Sequence, residues 1–201
     1  MSDSSHCPGG NITVFKTVDI FNSTSGSWSI SNLSVARTDI AATSLPNNGI
    51  AMFAGGSGAF FGSVELHHLL MCSPDVKGNP FSTVDIFNAT SRTWRTASLS
   101  VPRSYMASTS LPNRGIALFA GGMSALYGLT VDNDCRVFFN LIWLFMLHVA
   151  VASGSAVDTV DVFNANSGTW TTAILSVAAM NLAATSLPDY GLAMFAGGSS
   201  V

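Results

Sequence analysis

The chain contains three copies of one 40-residue sequence, and this internal repeat constrains the fold more than any other feature. The copies are residues 17–56, 83–122 and 159–198, which align without a gap. Of the 40 aligned columns, 21 hold the same residue in all three copies, including Thr-Val-Asp, Trp, Thr-Ser-Leu-Pro and Phe-Ala-Gly-Gly. Such a repeat predicts one small structural unit that recurs along the chain and stacks on its neighbours.

Each copy predicts two β-hairpins. In the first copy, an alternating strand that starts at Thr17 leads through a polar turn to a strand around Trp28. Residues 41–45 then lead into Pro-Asn-Asn-Gly, a turn sequence, and residues 50–54 return as an apolar strand. The paired glycines that end each copy predict a sharp turn or a close approach of two backbone segments.

Composition supports a β-rich fold. Hydrophobic residues make up 48% of the chain and charged residues only 9%, which argues against intrinsic disorder. The 18 glycines and 13 phenylalanines favour short strands and turns. A net charge of −3, with Lys and Arg scattered singly, provides no electrostatic footprint for nucleic acid. Three distant cysteines, Cys7, Cys72 and Cys135, do not define a disulfide framework.

The order of the repeated motifs resembles the kelch repeat, in which an apolar strand ends in Gly-Gly and is followed by a Val-Asp-aromatic strand, a Trp and an Arg. The family's arginine falls on Arg37 and Arg103, whereas the third copy has Ala179. Phenylalanine stands where the family usually has tyrosine, so the sequence is a divergent example. The family's double glycine and its tryptophan fall on Gly55, Gly56, Gly121, Gly122, Gly197 and Gly198, and on Trp28, Trp94 and Trp170.

The resemblance implies an all-β fold, a β-propeller whose blades are four-stranded antiparallel sheets. By that pattern, one blade runs over residues 38–97 and a second over 104–172. The half-blade after residue 180 and the half-blade at 17–30 then remain as candidates to pair with each other. About three blades are fewer than the roughly 4–8 that close a ring. We therefore expect residues 1–201 to form a single partial or open arc whose uncovered faces favour self-association.

Two insertions without similarity to the repeats separate the copies, at residues 57–82 and 123–158. Both fall between the second and third strands of a predicted blade, a connection where repeat proteins tolerate extra chain. The first insertion contains a possible short helix at 64–71. The second contains a nearly unbroken apolar stretch at 137–152, which is shorter than the about 20 residues of a membrane span. An apolar helix or hairpin packed on the blade edges, or a passenger insertion that does not belong to the domain, is favoured over a membrane segment.

Two repeated charged positions are candidates for function. Asp19, Asp85 and Asp161 occupy one column, which suggests a ring of carboxylates or, with more weight, a side chain that binds a neighbouring backbone N–H. Arg37 and Arg103 are the candidate binding residues, because arginines near this point line the binding face in kelch proteins. A structural contact between blades is the alternative for the same arginines. The repeated tryptophans are expected to be largely buried between sheets.

Motifs for metal binding and catalysis are weak. His67, His68, Cys72 and Asp75 form the one local cluster of metal-ligating residue types, but their spacing lacks the paired intervals of zinc sites. The sequence contains no Gly-x-Ser-x-Gly elbow, P-loop or Rossmann glycine pattern. We therefore predict no metal site, no cofactor and no catalytic residues.

The kelch resemblance implies a non-enzymatic module that binds another protein through loops on one face. A propeller enzyme of the copper-oxidase or sugar-acting type is one alternative, and a membrane-associated protein that uses residues 137–152 is another. No nucleic-acid partner is expected. Residues 1–10 are polar and hold no apolar segment of a signal peptide, so the expected location is the cytoplasm.

Overall fold

The computed structural model describes residues 13–58, 65–66, 69–70, 78–124 and 154–200. These residues form an all-β structure of antiparallel strands joined by turns. The strands are β1 (Thr17–Asn22), β2 (Ser27–Asn32), β3 (Ala41–Leu45), β4 (Ile50–Ala54), β5 (Glu65–Leu66), β6 (Leu69–Leu70), β7 (Thr83–Asn88), β8 (Thr93–Ser98), β9 (Ala107–Leu111), β10 (Ile116–Ala120), β11 (Met123–Ser124), β12 (Ser155–Ala156), β13 (Thr159–Asn164), β14 (Thr169–Ile174), β15 (Ala183–Leu187) and β16 (Leu192–Ala196).

Local turn chemistry creates the two hairpins of each copy. Between β3 and β4, Pro46–Asn48 forms a short 3-10 turn, and Gly49 ends it at a φ of 63°, a left-handed value that suits glycine. The β1–β2 turn is held by Asn22, whose side-chain oxygen accepts hydrogen bonds from the backbone N–H groups of Thr24 and Ser25. The other two copies repeat both turns.

The four-stranded sheets combine hairpins from consecutive copies. Sheet 1 has the order β3-β4-β7-β8, so its first hairpin comes from the first copy and its second hairpin from the second copy. Sheet 2 has the order β9-β10-β13-β14 and joins the second and third copies in the same way. The two hairpins pair in the same register in both sheets: Met52 lies opposite Ile86 in sheet 1, and Leu118 lies opposite Val162 in sheet 2. The sequence placed both four-stranded units correctly.

One hairpin is left over at each end of this array. The first hairpin, β1–β2, and the last hairpin, β15–β16, are separate two-stranded sheets. The sequence left open whether these halves pair with each other, and in this structure they do not. The first hairpin corresponds to strands three and four of a sheet, whereas the last hairpin corresponds to strands one and two. The two leftover hairpins are therefore complementary halves.

The sheets stack in chain order, and they approach each other most closely through their first strands β3, β9 and β15. Leu45, Met52 and Ile86 of sheet 1 and Phe119 and Phe163 of sheet 2 are fully buried in one core. Apolar burial of this kind is the main favourable contribution to folding.

The insertions connect the second and third strands of each four-stranded sheet, as the sequence predicted. The possible helix at 64–71 is not formed at the four described residues of this range, where β5 and β6 pair as antiparallel strands. The short β11 and β12 pair at the base of the second insertion. The apolar stretch at 137–152 lies outside the described residues. Within the described part of the chain, no helix is long and apolar enough to cross a membrane.

Candidate functional site

The repeated arginines form buried ion pairs with the repeated aspartates. The Nη2 atom of Arg37 lies 2.7 Å from Oδ2 of Asp85, and the same atom of Arg103 lies 2.7 Å from Oδ2 of Asp161. Each Nη2 also donates to a backbone carbonyl at 3.0 Å, that of Phe53 or that of Phe119. In both pairs an arginine from one copy binds an aspartate from the next.

The second carboxylate oxygen of each aspartate binds the loop that carries the arginine. Oδ1 of Asp85 accepts a hydrogen bond of 3.0 Å from the backbone N–H of Ser34, and Oδ1 of Asp161 accepts one of 3.1 Å from Ser100. The prediction that this column binds a neighbouring backbone N–H is thus confirmed for two of its three members. The aspartates fix the loop between two hairpins against the following sheet.

Burial determines what the arginines can do. Both arginine side chains have no exposed surface, and burial lowers the pKa of each guanidinium, while the charge of the paired aspartate opposes that shift. These contacts support the structural alternative, because a fully buried side chain does not reach a protein partner. Nη1 of both arginines and Nε of Arg37 have no hydrogen-bond partner among the described residues.

The double glycines permit the close approach of consecutive copies, as the sequence predicted. All six have positive φ values between 62° and 101°. A Cβ atom at Gly55 would collide with the carbonyl oxygen of Arg103, and one at Gly121 would collide with that of Ala179. Gly197, in the third copy, has open space at this position. Among the described residues, the first glycine of each pair therefore meets the next copy only where one follows, whereas the second lies against its own copy, as Gly198 does against the Met180 carbonyl.

The repeated tryptophans occupy equivalent positions, but the expectation that all three are largely buried is wrong. Trp94 and Trp170 are half-buried, whereas Trp28 is 69% exposed. Trp94 lies 5.0 Å from the ring of Phe87 and 6.0 Å from that of Phe53. Trp28 has the first of these contacts, with Phe21 at 5.1 Å, but lacks the second, because no described strand pairs with the open edge of its hairpin.

The third copy leaves its sheet incomplete. A groove of about 410 Å³ opens beside β16, and its lining includes Ser176, Ala179, Phe195 and Gly197. The equivalent residues in the first copy surround Asp85 and its strand. The groove is therefore the place that the third strand of a sheet fills elsewhere in the molecule.

A continuous polar surface forms where the hairpin turns meet. We define the turn face as the three 3-10 turns Pro46–Asn48, Pro112–Arg114 and Pro188–Tyr190, which lie side by side. Their side chains form a chain of hydrogen bonds in which Asn47 Nδ2 donates to Asn113 Oδ1 at 3.3 Å, and Asn113 Nδ2 donates to Asp189 Oδ1 at 2.8 Å. This surface was not predicted from the sequence as a candidate site.

The turn face is also where the copies differ. The last residue of the turn is Asn48 in the first copy, Arg114 in the second and Tyr190 in the third. Arg114 is exposed, and Tyr190 is 77% exposed. The Arg114 guanidinium lies against Gly191, which follows Tyr190. This variation within an otherwise repeated turn is the sequence signal that could have identified the surface.

Metal binding has no support in the described part of the chain. No group of three or more His, Cys, Asp and Glu residues there is arranged to hold a metal ion. The weak cluster His67, His68, Cys72 and Asp75 lies outside the residues whose side chains are described.

Comparison with known proteins does not assign a family. No protein-family model matches this chain, and no curated protein matches it. The kelch resemblance stays a prediction from the repeated motifs.

Proposed function

We propose that this chain is a kelch-like propeller arc that acts as a non-enzymatic protein-binding module, with the turn face as its binding surface. The kelch motifs and the stacked four-stranded sheets support the architecture. The observation that carries the binding role is the row of three adjacent turns whose exposed end residues differ. A scaffold that repeats its buried positions and varies its exposed turns has the organisation of a binding module.

The chemistry of the turn face suits a protein surface. Tyrosine and arginine are enriched among the residues that contribute most to protein interfaces, and here Arg114 and Tyr190 come from adjacent turns. Asn113 and Asp189 add paired polar groups beside them. The hydrogen bond between Asn113 and Asp189 holds these two side chains in place, which reduces the entropy that they lose on binding.

Site-specific photo-crosslinking tests this proposal. A photoreactive residue at position 114 or 190 should capture one protein from cell extract, whereas the same residue at position 174 should not. Ile174 is a suitable control because its side chain is 77% exposed and lies away from the turns. The captured protein is then purified and its affinity is measured by calorimetry.

A combined Arg114→Ala and Tyr190→Ala variant should weaken binding of that purified partner on the order of a hundredfold, since each is a candidate interface anchor. The control Ile174→Ala should leave affinity unchanged. A partner that binds both variants equally would contradict the turn face as the binding surface. A partner captured at position 174 alone would contradict it as well.

A further inference from the structure

The groove beside β16 has the shape of a missing strand, and the filled positions in the same molecule show what that strand must be. In sheet 1 the place is taken by β7, with the sequence Thr-Val-Asp-Ile-Phe-Asn, and in sheet 2 by β13, with Thr-Val-Asp-Val-Phe-Asn. The required occupant is therefore a strand of this sequence with its following hairpin partner.

The first hairpin provides such a strand with an open edge. β1 has the sequence of β7 and pairs only with β2 among the described residues. Its flanking backbone already has the arrangement seen in the complete sheets: Leu33 N–H donates to the Lys16 carbonyl, as Leu99 donates to Ser82. Phe21 is 52% exposed, whereas its counterparts in the complete sheets are half-buried at Phe87 and fully buried at Phe163.

We propose that the groove beside β16 binds the β1–β2 hairpin of a second copy of this chain. The shared sheet then has the order β15-β16-β1-β2, with β1 and β2 from the second copy. The register follows from the two complete sheets: Met194 lies opposite Ile20, as Met52 lies opposite Ile86. The residues that line the groove include none of the turn-face residues, so the proposal does not rest on the proposed function.

The same equivalence specifies the contacts across the shared sheet. In the complete sheets, the N–H of the first paired glycine donates to the carbonyl of the threonine that starts the third strand, as Gly55 does to Thr83. Gly197 of one copy should bind Thr17 of the other in this way. Trp28 should then gain its second aromatic neighbour, Phe195, because Phe53 contacts Trp94 in sheet 1.

If two copies associate head to tail, the open edge of β16 in each copy pairs with β1 of the other, and the assembly closes into a ring. Each chain contributes two complete sheets, and the pair shares two more, which makes a ring of six four-stranded sheets. Six lies within the range of roughly 4–8 blades in closed propellers. A head-to-tail contact that closes on itself produces a finite assembly instead of a fibre.

One position in the shared sheet is unfavourable. Asp19 corresponds to Asp85 and Asp161, but Ala179 stands where those aspartates meet an arginine. The backbone N–H of Ser176 is positioned like that of Ser34 to bind Asp19, but the guanidinium is missing. Burying a carboxylate without its cationic partner costs free energy. We therefore expect a reversible dimer that Ala179→Arg stabilises.

Sedimentation velocity across a dilution series tests the pairing. The 21.0 kDa chain should show a reversible dimer of about 42 kDa. Met194→Lys should weaken the dimer on the order of a hundredfold, because a side chain that is 41% exposed in the single chain would carry a charge into the shared core. Ile174→Lys, an apolar-to-lysine change at a more exposed position, should leave the dimer unchanged.

Ala179→Arg should tighten the dimer by roughly tenfold or more, and adding Asp19→Asn should remove that gain. Trp28 fluorescence, measured in a variant with Trp94, Trp143 and Trp170 replaced by Phe, should shift to shorter wavelength on association. A chain that sediments as a monomer at every concentration, with and without Ala179→Arg, would overturn the proposal. A dimer equally sensitive to Ile174→Lys and Met194→Lys, or a series of ever larger oligomers, would overturn it too.

Discussion

The central sheets and the terminal hairpins of this molecule are made from copies of one repeat but differ in burial. Phe163 in sheet 2 is fully buried, while Phe21 in the first hairpin is 52% exposed. Met52 in sheet 1 is fully buried, while Met194 in the last hairpin is 41% exposed. The hairpins have the same turns and the same strand register in both settings. The structural difference is that a neighbouring hairpin pairs alongside in the central sheets and not at the described ends.

This comparison separates two levels of structure. Turn residues and strand alternation determine each hairpin locally, and they act wherever the sequence occurs. Burial, ion pairing and the close approach at glycine require a consecutive copy. In a stacked repeat, stability therefore depends on the interface between neighbours as much as on the unit itself.

Breaking an ion pair in a central sheet should have the largest effect. Arg103→Ala leaves Asp161 buried without its cation, and it should lower the free energy of unfolding by about 3–5 kcal/mol in urea denaturation. The matched comparison is the natural alanine at position 179. The double variant Arg103→Ala with Asp161→Ala should cost less than the sum of the two single changes. A cost below about 1 kcal/mol for Arg103→Ala would contradict a structural ion pair.

Replacing the repeated tryptophan should have the second largest effect, and it should lower the free energy of unfolding more in a central sheet than in the first hairpin. Trp94→Ala loses two aromatic contacts and half-buried surface, so we expect a cost of about 3 kcal/mol. Trp28→Ala should cost less than about 1 kcal/mol in the monomer, because that side chain is mostly in solvent. Equal costs in dilute protein would show that the two hairpins have the same surroundings.

Alanine at the first glycine of the pair measures the cost of crowding the contact between copies. Gly121→Ala and Gly197→Ala introduce similar strain, since the φ values are 62° and 71°. That strain alone costs about 1 kcal/mol. Gly121→Ala also forces a methyl against the Ala179 carbonyl, so it should lower stability by about 1 kcal/mol more than Gly197→Ala. Identical melting temperatures for the two variants would exclude the close approach.

Shortening the insertions should have the smallest effect. Deleting residues 59–78 and 125–154 leaves six-residue connections and keeps the backbone bonds from Phe81 to Gly56 and from Val157 to Gly122. Closure entropy depends weakly on loop length, so stability should change by about 1 kcal/mol or less, with the β signal in circular dichroism unchanged. Loss of folding would show that the apolar stretch 137–152 belongs to the core.

The sequence predicts the hairpins and both four-stranded units because turn residues and apolar alternation are local signals. The double glycine also follows from local chemistry, since few other residues adopt a positive φ. The partners of Arg37 and Arg103 could not be predicted from local chemistry, because each aspartate lies 48 or 58 residues further along the chain. One signal was present: both arginines precede a copy with an aspartate, and the arginine is lost in the third copy.

The exposure of Trp28 could not be predicted because the residues around it match those around the half-buried tryptophans of the other copies. Its column is shared with Trp94, and the difference lies in what packs beside the hairpin. The possible helix at 64–71 is replaced by the strands β5 and β6 for a different reason, since a short apolar run fits either a helix or strands. The turn face was missed because its residues are ordinary turn formers that become a surface only when the sheets stack.

The central claim is that each four-stranded sheet joins two consecutive copies of the repeat. Proton NOEs between backbone groups of β4 and β7, and of β10 and β13, test it directly, because residues opposite each other in antiparallel strands are close in space. The account predicts cross-strand NOEs that place Met52 opposite Ile86 and Leu118 opposite Val162. NOEs that instead join β2 to β3 and β8 to β9, so that each copy forms its own sheet, would contradict it.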